Sequence, residues 1–287
     1  MDEKLKKIGI LTDTVSDLPD DIAAKYGIEV IPLKIHIDDK TYLAKKDITD
    51  EQFFKLLSST SAVAKTSQPS PFEFQVAYES MLRRYEMILS IHASTELSGT
   101  FQSAQLAKDS IDPKLAERIT LFDTGQASMG EGMMVVKAAE MAESGDEAHK
   151  IIKELERISK VIKTRFVPDT LKYLERGGRI GKASAFLGNI LSIKPLLGVD
   201  KIVYPVEKVR GGRNVVPKLL EQLKGSLKAS DKFRACILSS NMPDEEEQLR
   251  QAVSSDSRAV GIMDAKLGSV IGCHVGPKVM GLVWYTI

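Results

Sequence analysis

The sequence predicts an α/β protein of two domains, an N-terminal parallel sheet with flanking helices and a C-terminal mixed α+β sheet domain. Three observations carry that expectation. The chain has 287 residues, more than one typical domain. In the first half, short apolar runs alternate with helical patterns, the signature of βαβ units. Beyond about residue 166 the texture changes to strand-like runs around one polar helix. The boundary is therefore placed at 165, giving domains 1–165 and 166–287, with the option that "EVIPLKIHIDDKTY" near the N-terminus pairs with the second sheet.

The first unit is "IGILTDTVSDLPDDIAAKYG", a strand to about Thr12, a polar turn, and a helix near Pro19 stopped by Gly27. In "AKTSQPSPFEF", Ser70, Pro71 and Glu73 form a cap, a first-turn proline and a capping-box glutamate. "YEMILSIHASTELSGTFQSAQLAKD" gives a strand through Ile91, a hydroxyl-rich turn and a helix from near Ser98. "ITLFDTGQASMGEGMMVVKAAEMAESG" repeats the pattern. In the second half, "ERGGRIGKAS" is a glycine loop leading into the apolar helical stretch "AFLGNILSIKPLL". "KPLLGVDKIVYPVEKVRGG" and "FRACILSSN" read as strands and "DEEEQLRQAVSS" as a polar helix. "AVGIMDAKLGSVIGCHVGP" and "GLVWYTI" read as terminal strands. The segments "MGEGMMVVKAAEMA" and "AFLGNILSIKPLL" are apolar around most of their circumference, which fits core between two domains better than a ligand wall.

Composition narrows the function. Hydrophobic residues make up 43% and charged residues 28%, and 40 basic against 39 acidic residues leave a net charge of +1. Such a balance speaks against nucleic-acid binding, which needs a basic excess. Two cysteines, Cys236 and Cys273, are too few for a disulfide framework or a zinc cluster. Neither a signal peptide nor a membrane-spanning apolar segment is legible, so a cytoplasmic protein is expected.

In parallel α/β sheets, ligands bind beyond the carboxyl ends of the strands. That rule gathers Asp13, Thr14 and Ser16, then Thr66 and Ser67, then Ser94, Thr95 and Ser98, then Asp123, Thr124 and Ser128 on one rim. The rim is rich in hydroxyls and lacks a nucleophile–base pair or a G-x-S-x-G elbow. Hydroxyls and free N–H groups at helix starts suit the holding of a carboxylate or phosphate, although a single serine such as Ser70 or Ser98 is more often a helix cap. The glycine loop fails as a Walker A motif: Arg176 stands where the first glycine belongs, and Ala183 follows Lys182. A basic turn remains, with Arg176, Arg179 and Lys182 placed either to meet an anion or simply to be solvated.

In chain order, "TDTVSDLP", "KTSQPSP", "STELSGTFQSA", "DTGQASMGEG", "LKYLERGGRIGKA", "LSIKPLL" and "IGCHVGP" resemble the DegV family of bacterial fatty-acid-binding proteins. The resemblance runs from about residue 8 to the end. It implies a non-enzymatic carrier that buries one long-chain fatty acid in an apolar tunnel between two domains and uses no cofactor or metal. It assigns the acyl carboxylate to Thr66 and Ser98, with the backbone N–H near Gly99 as a helper. It implies a separate ATP-dependent fatty acid kinase as partner, making an acyl phosphate for phospholipid metabolism, and places Arg179, Arg210 and His274 toward that partner or the acyl phosphate. Thr14 and Lys278 stand where the family more often has serine and glycine. The competing expectation is an enzyme acting on a small anionic metabolite at the same rim.

Overall fold

The computed structural model describes residues 5–59, 63–187 and 193–287. The chain opens with β1 (Lys6–Asp13), α1 (Asp20–Tyr26), β2 (Glu29–Ile31), β3 (Lys34–Ile37), β4 (Lys40–Leu43), α2 (Asp50–Ser59) and β5 (Lys65–Ser67). It continues through α3 (Pro71–Leu82), β6 (Tyr85–His92), α4 (Thr100–Ser110), α5 (Pro113–Ala116), β7 (Ile119–Asp123), α6 (Met129–Glu143) and α7 (Ala148–Val161). Next come β8 (Lys163–Pro168), α8 (Lys172–Arg176), β9 (Ile193–Asp200), β10 (Ile202–Arg210) and α9 (Val215–Ser226). Last in chain order are β11 (Phe233–Ser240), α10 (Pro243–Ser254), β12 (Ala259–Lys266), α11 (Ser269–Val275) and β13 (Val279–Thr286).

Three sheets result. One is parallel throughout, in the order β2-β1-β6-β7. A mixed sheet runs β10-β9-β8-β13-β11-β12, parallel only between β11 and β12. The third is antiparallel, β4-β3-β5. The segment 29–42 therefore does not join the mixed sheet. Its β2 extends the parallel sheet, and β3 pairs with β4 and β5, because Ile35 and Ile37 bury their side chains in a separate small core with Phe53 and Leu57.

Local signals explain the helix ends. Gly27 ends α1 at φ 62, in the left-handed region that favours glycine. At α3, Ser70 accepts from the Glu73 N–H while the Glu73 carboxylate accepts from the Ser70 N–H, with Pro71 in the first turn. In α7, Ile151, Leu155 and Ile158 recur at helical spacing and are all fully buried, each contributing about 1.5–3 kcal/mol of hydrophobic stabilisation.

Helix α6 is apolar around most of its circumference because it lies between two sheets. Its Met133, Met134, Val135 and Ala138 share a core with Ile10, Leu89 and Ile91 of the parallel sheet and with Phe166, Leu238 and Val283 of the mixed sheet. The mixed sheet shows period-two alternation in β13: Val279 and Val283 face α6, whereas Met280, Leu282 and Trp284 pack under α9 and α10. Polar ties also join the two parts, including Ser94 Oγ to the Lys201 carbonyl at 2.7 Å and Thr164 Oγ1 to Gln126 Oε1 at 2.8 Å.

Two expectations for the second half need correction. The apolar stretch 185–197 does not run on as a helix: a 3-10 turn spans Gly181–Phe186 and Ile193 already belongs to β9. Within it, residues 188–192 of "LGNILSIKPLL" lie outside the described residues. The run "SVIGCHV", read as strand from its β-branched residues, forms α11. Acceptors at its start outweigh that propensity: the Asp50 carboxylate accepts from the Ser269 N–H at 2.7 Å.

Candidate functional site

Between the parallel and mixed sheets lies a cavity with about 920 Å³ of space between protein atoms, its open mouth included. Its walls are mostly aliphatic, supplied by Val199, Val203, Leu238, Val279 and Val283 of the mixed sheet and by Val270 and Ile271 of α11. Its polar residues include Thr66, Gln68, Ser98, Arg179 and His274.

Each of these side chains is positioned by a different element. Thr66 is held on β5 by pairing with Ile35. Ser98 ends the turn after β6, its N–H donating to the Ser94 carbonyl at 3.0 Å and its Oγ lying 2.8 Å from Thr100 Oγ1. His274 comes from the end of α11, and its Nε2 meets Thr66 Oγ1 at 2.9 Å. Arg179 donates to the carbonyls of Leu97 at 3.1 Å and Gly177 at 2.8 Å, so the glycine loop is fastened across the mouth. Glycine is required at 177 because any Cβ there would fall 2.5 Å from His274 Nδ1.

The electrostatics are simple. Burial, helped by the Arg179 charge, pushes the His274 imidazole down to about 4, so it is neutral at physiological pH. The mouth therefore offers hydroxyls, an imidazole nitrogen and the Gly99 N–H, which donates to no acceptor among the described residues. The Arg179 guanidinium stands beside them as a fixed cation.

Of the hydroxyls and acids expected on the rim, Thr66, Ser98 and Ser128 line the cavity. Most of the others hold backbone or each other. Thr14 Oγ1 accepts from the Leu33 N–H, Ser16 Oγ donates to the Asp13 carbonyl, Thr95 binds Asp123, and Thr124 Oγ1 donates to the His92 carbonyl. Ser67 Oγ lies 2.8 Å from His36 Nε2. Arg210 is not among the residues that line the cavity; it is exposed at the end of β10. Gln68, which directly follows β5, was not singled out from sequence. Its amide covers Gly99, where a Cβ would come within 2.7 Å of Nε2.

A serine–histidine–carboxylate chain, absent from the sequence-level reading, exists in the interior. Ser90 Oγ is 2.7 Å from His92 Nε2, and His92 Nδ1 is 2.7 Å from Asp13 Oδ2. All three residues are fully buried, Ser90 is further bonded to the Tyr78 hydroxyl, and none lines the cavity. The set is a core polar network, without access for a substrate. Glu131 joins Asp13 and His92 with ligand atoms within 4.8 Å of one another, a spacing compatible with a metal. In the fold these groups are hydrogen-bonded to one another and to their neighbours, His92 Nδ1 with Asp13 Oδ2 and Glu131 Oε1 with Thr12 Oγ1.

Fold and cavity define a class: two α/β sheet assemblies around a mostly aliphatic cavity whose polar groups are hydroxyls, an amide, an imidazole and arginines. The model described as "Uncharacterised protein, DegV family" matches residues 7–286, and the chain belongs to the DegV family. A DegV domain-containing protein of Listeria innocua is 34% identical over 97% of this chain and 98% of its own length. The structure of a Thermus thermophilus DegV family protein, whose description names fatty acid binding, matches with a TM-score of 0.91 and 35% identity over 98% of this chain and all of that one. The structure of Bacillus subtilis DegV, described as a fatty acid binding protein, gives a TM-score of 0.87 at 29% identity, with 98% and 100% coverage. Among the described residues, no helix is long and apolar enough to cross a membrane.

Proposed function

We propose that the protein is a non-catalytic carrier that binds one long-chain fatty acid in the chamber between units 1–165 and 166–287. The acyl tail lies among the aliphatic walls and the carboxylate sits at Thr66, Ser98 and the Gly99 N–H. The observation that carries this reading is the aliphatic cavity with Thr66, Ser98 and His274 at one mouth. Fatty acid binding by the Thermus and Bacillus relatives supports it. Each buried methylene contributes about 0.8 kcal/mol, so the tail supplies affinity, while the head group is costly to bury without hydrogen bonds. Neutral hydroxyls meet that need.

The bound carboxylate is presented to a separate ATP-dependent fatty acid kinase. Arg179 and His274 face the acyl phosphate, and the exposed Arg210 belongs only to the partner's footprint. The test is organic extraction of the purified protein followed by mass spectrometry. A co-purified fatty acid near one equivalent is expected. A polar anionic metabolite in its place would replace the carrier with an enzyme of small anions.

A further inference from the structure

Asp17 does not itself line the cavity, yet it joins two segments that do. It is buried, 3% exposed, and one carboxylate oxygen accepts from Ser128 Oγ at 2.5 Å. The other accepts from the Gly268 N–H at 3.0 Å. Ser128 belongs to the cavity lining on the side of the parallel sheet, at the start of α6. Gly268 precedes α11, which contributes Val270, Ile271, His274 and Val275 to the same lining.

Two backbone facts show that this bridge is constrained. Ser128 has φ 55 and ψ −144, a conformation that a non-glycine residue holds only when neighbours impose it. Its side chain is tied to Asp17 and its N–H to the Val15 carbonyl. Gly268 has ordinary extended angles, φ −81 and ψ 164, so its backbone does not demand glycine. A Cβ there would stand 2.5 Å from Asp17 Oδ1. The space at 268 is therefore reserved for the carboxyl group.

We propose that Asp17 is a positioning residue for the ligand site, clamping Ser128 to the start of α11 so that His274 is held against Thr66. The inference rests on the fatty-acid reading for its binding readout only. Burial raises the Asp17 carboxyl to about 7, so its neutral acid form is populated near neutrality and asparagine is a close mimic. Asp17 itself has φ 51, which asparagine and glycine tolerate.

The test uses three variants of the full chain. Asp17→Asn keeps an acceptor for Gly268 and a group that can bond Ser128. Asp17→Gly removes the bridge without left-handed strain, and Gly268→Ala expels the carboxyl while leaving Asp17 in place. Fatty-acid titration and amide exchange of the 264–272 segment are measured on each. Asp17→Gly and Gly268→Ala are expected to weaken binding about tenfold or more and to speed exchange at Gly268 and Ser269, with Asp17→Asn restoring both. Unchanged exchange in both bridge-breaking variants, or wild-type affinity in both, would overturn the clamp. A wild-type protein that binds no fatty acid sinks the functional reading instead, and the exchange comparison still decides the clamp.

Discussion

Thr66 Oγ1 and His274 Nε2, 208 positions apart in the chain, are 2.9 Å apart in the fold. A strand of the small antiparallel sheet thereby meets a helix that runs between strands of the mixed sheet. The proposed head-group site is a joint between distant segments, and its strength depends on both.

If the hydroxyls grip a carboxylate, Thr66→Val and Ser98→Ala should each weaken fatty-acid affinity by roughly tenfold while leaving the fold intact, since one hydrogen bond to a charged group is worth about 1.5–3 kcal/mol. Isothermal titration with a long-chain fatty acid reads this directly. Wild-type affinity in both variants removes the carboxylate from this mouth.

His274 should stay neutral well below the usual histidine range. Its folded value, about 4, is depressed from 6.5, so the neutral form contributes stability that is complete above 6.5 and is lost as pH falls toward 4. Histidine NMR titration should show one imidazole resonance still unshifted at pH 5. Denaturation of His274→Gln should lose part of the wild-type slope over that window.

Glu131 behaves in the opposite sense. Burial, with the Asp13 charge next to it, raises its carboxyl well above 4.5, and its Oε2 has no hydrogen-bond partner. The protonated acid fits the fold, so its contribution is complete below 4.5 and disappears as pH rises through the raised value. Glu131→Gln should increase thermal stability at pH 8 and do so less at pH 5. An equal or negative shift at both values contradicts the assignment.

The glycine loop rests on one residue. Gly181 has φ 50, and a Cβ there would collide with the Val203 carbonyl of β10. Gly181→Ala should cost about 1–3 kcal/mol and displace the loop that carries Arg179. Thermal denaturation measures the first effect. Fatty-acid titration measures whether the mouth moves with it.

Much of the architecture was legible because it is written locally. Gly27, the Ser70–Glu73 box and the alternating apolar runs of β1, β6 and β7 each specify an element without distant help. Thr66 and Ser98, singled out through motifs, do line the cavity, although composition alone gave them no priority over Thr14 or Thr124, which serve the backbone. What failed was tertiary. The helical state of "SVIGCHV" depends in part on Asp50, 219 positions away. The three-stranded sheet depends on β5 reaching back to β3. Ser90 and His92 form a relay only because β6 lies beside β1, where Asp13 waits. No window of neighbouring residues encodes these encounters.

Strand β13, last in chain order, sits at the centre of the mixed sheet between β8 and β11, and its Val279 and Val283 form part of the chamber wall. During vectorial synthesis, β8 and β11 emerge first and wait with facing edges unpaired. The cavity wall is consequently incomplete until β13 has been made and inserted, so the chamber forms late, when the mixed sheet closes around its central strand.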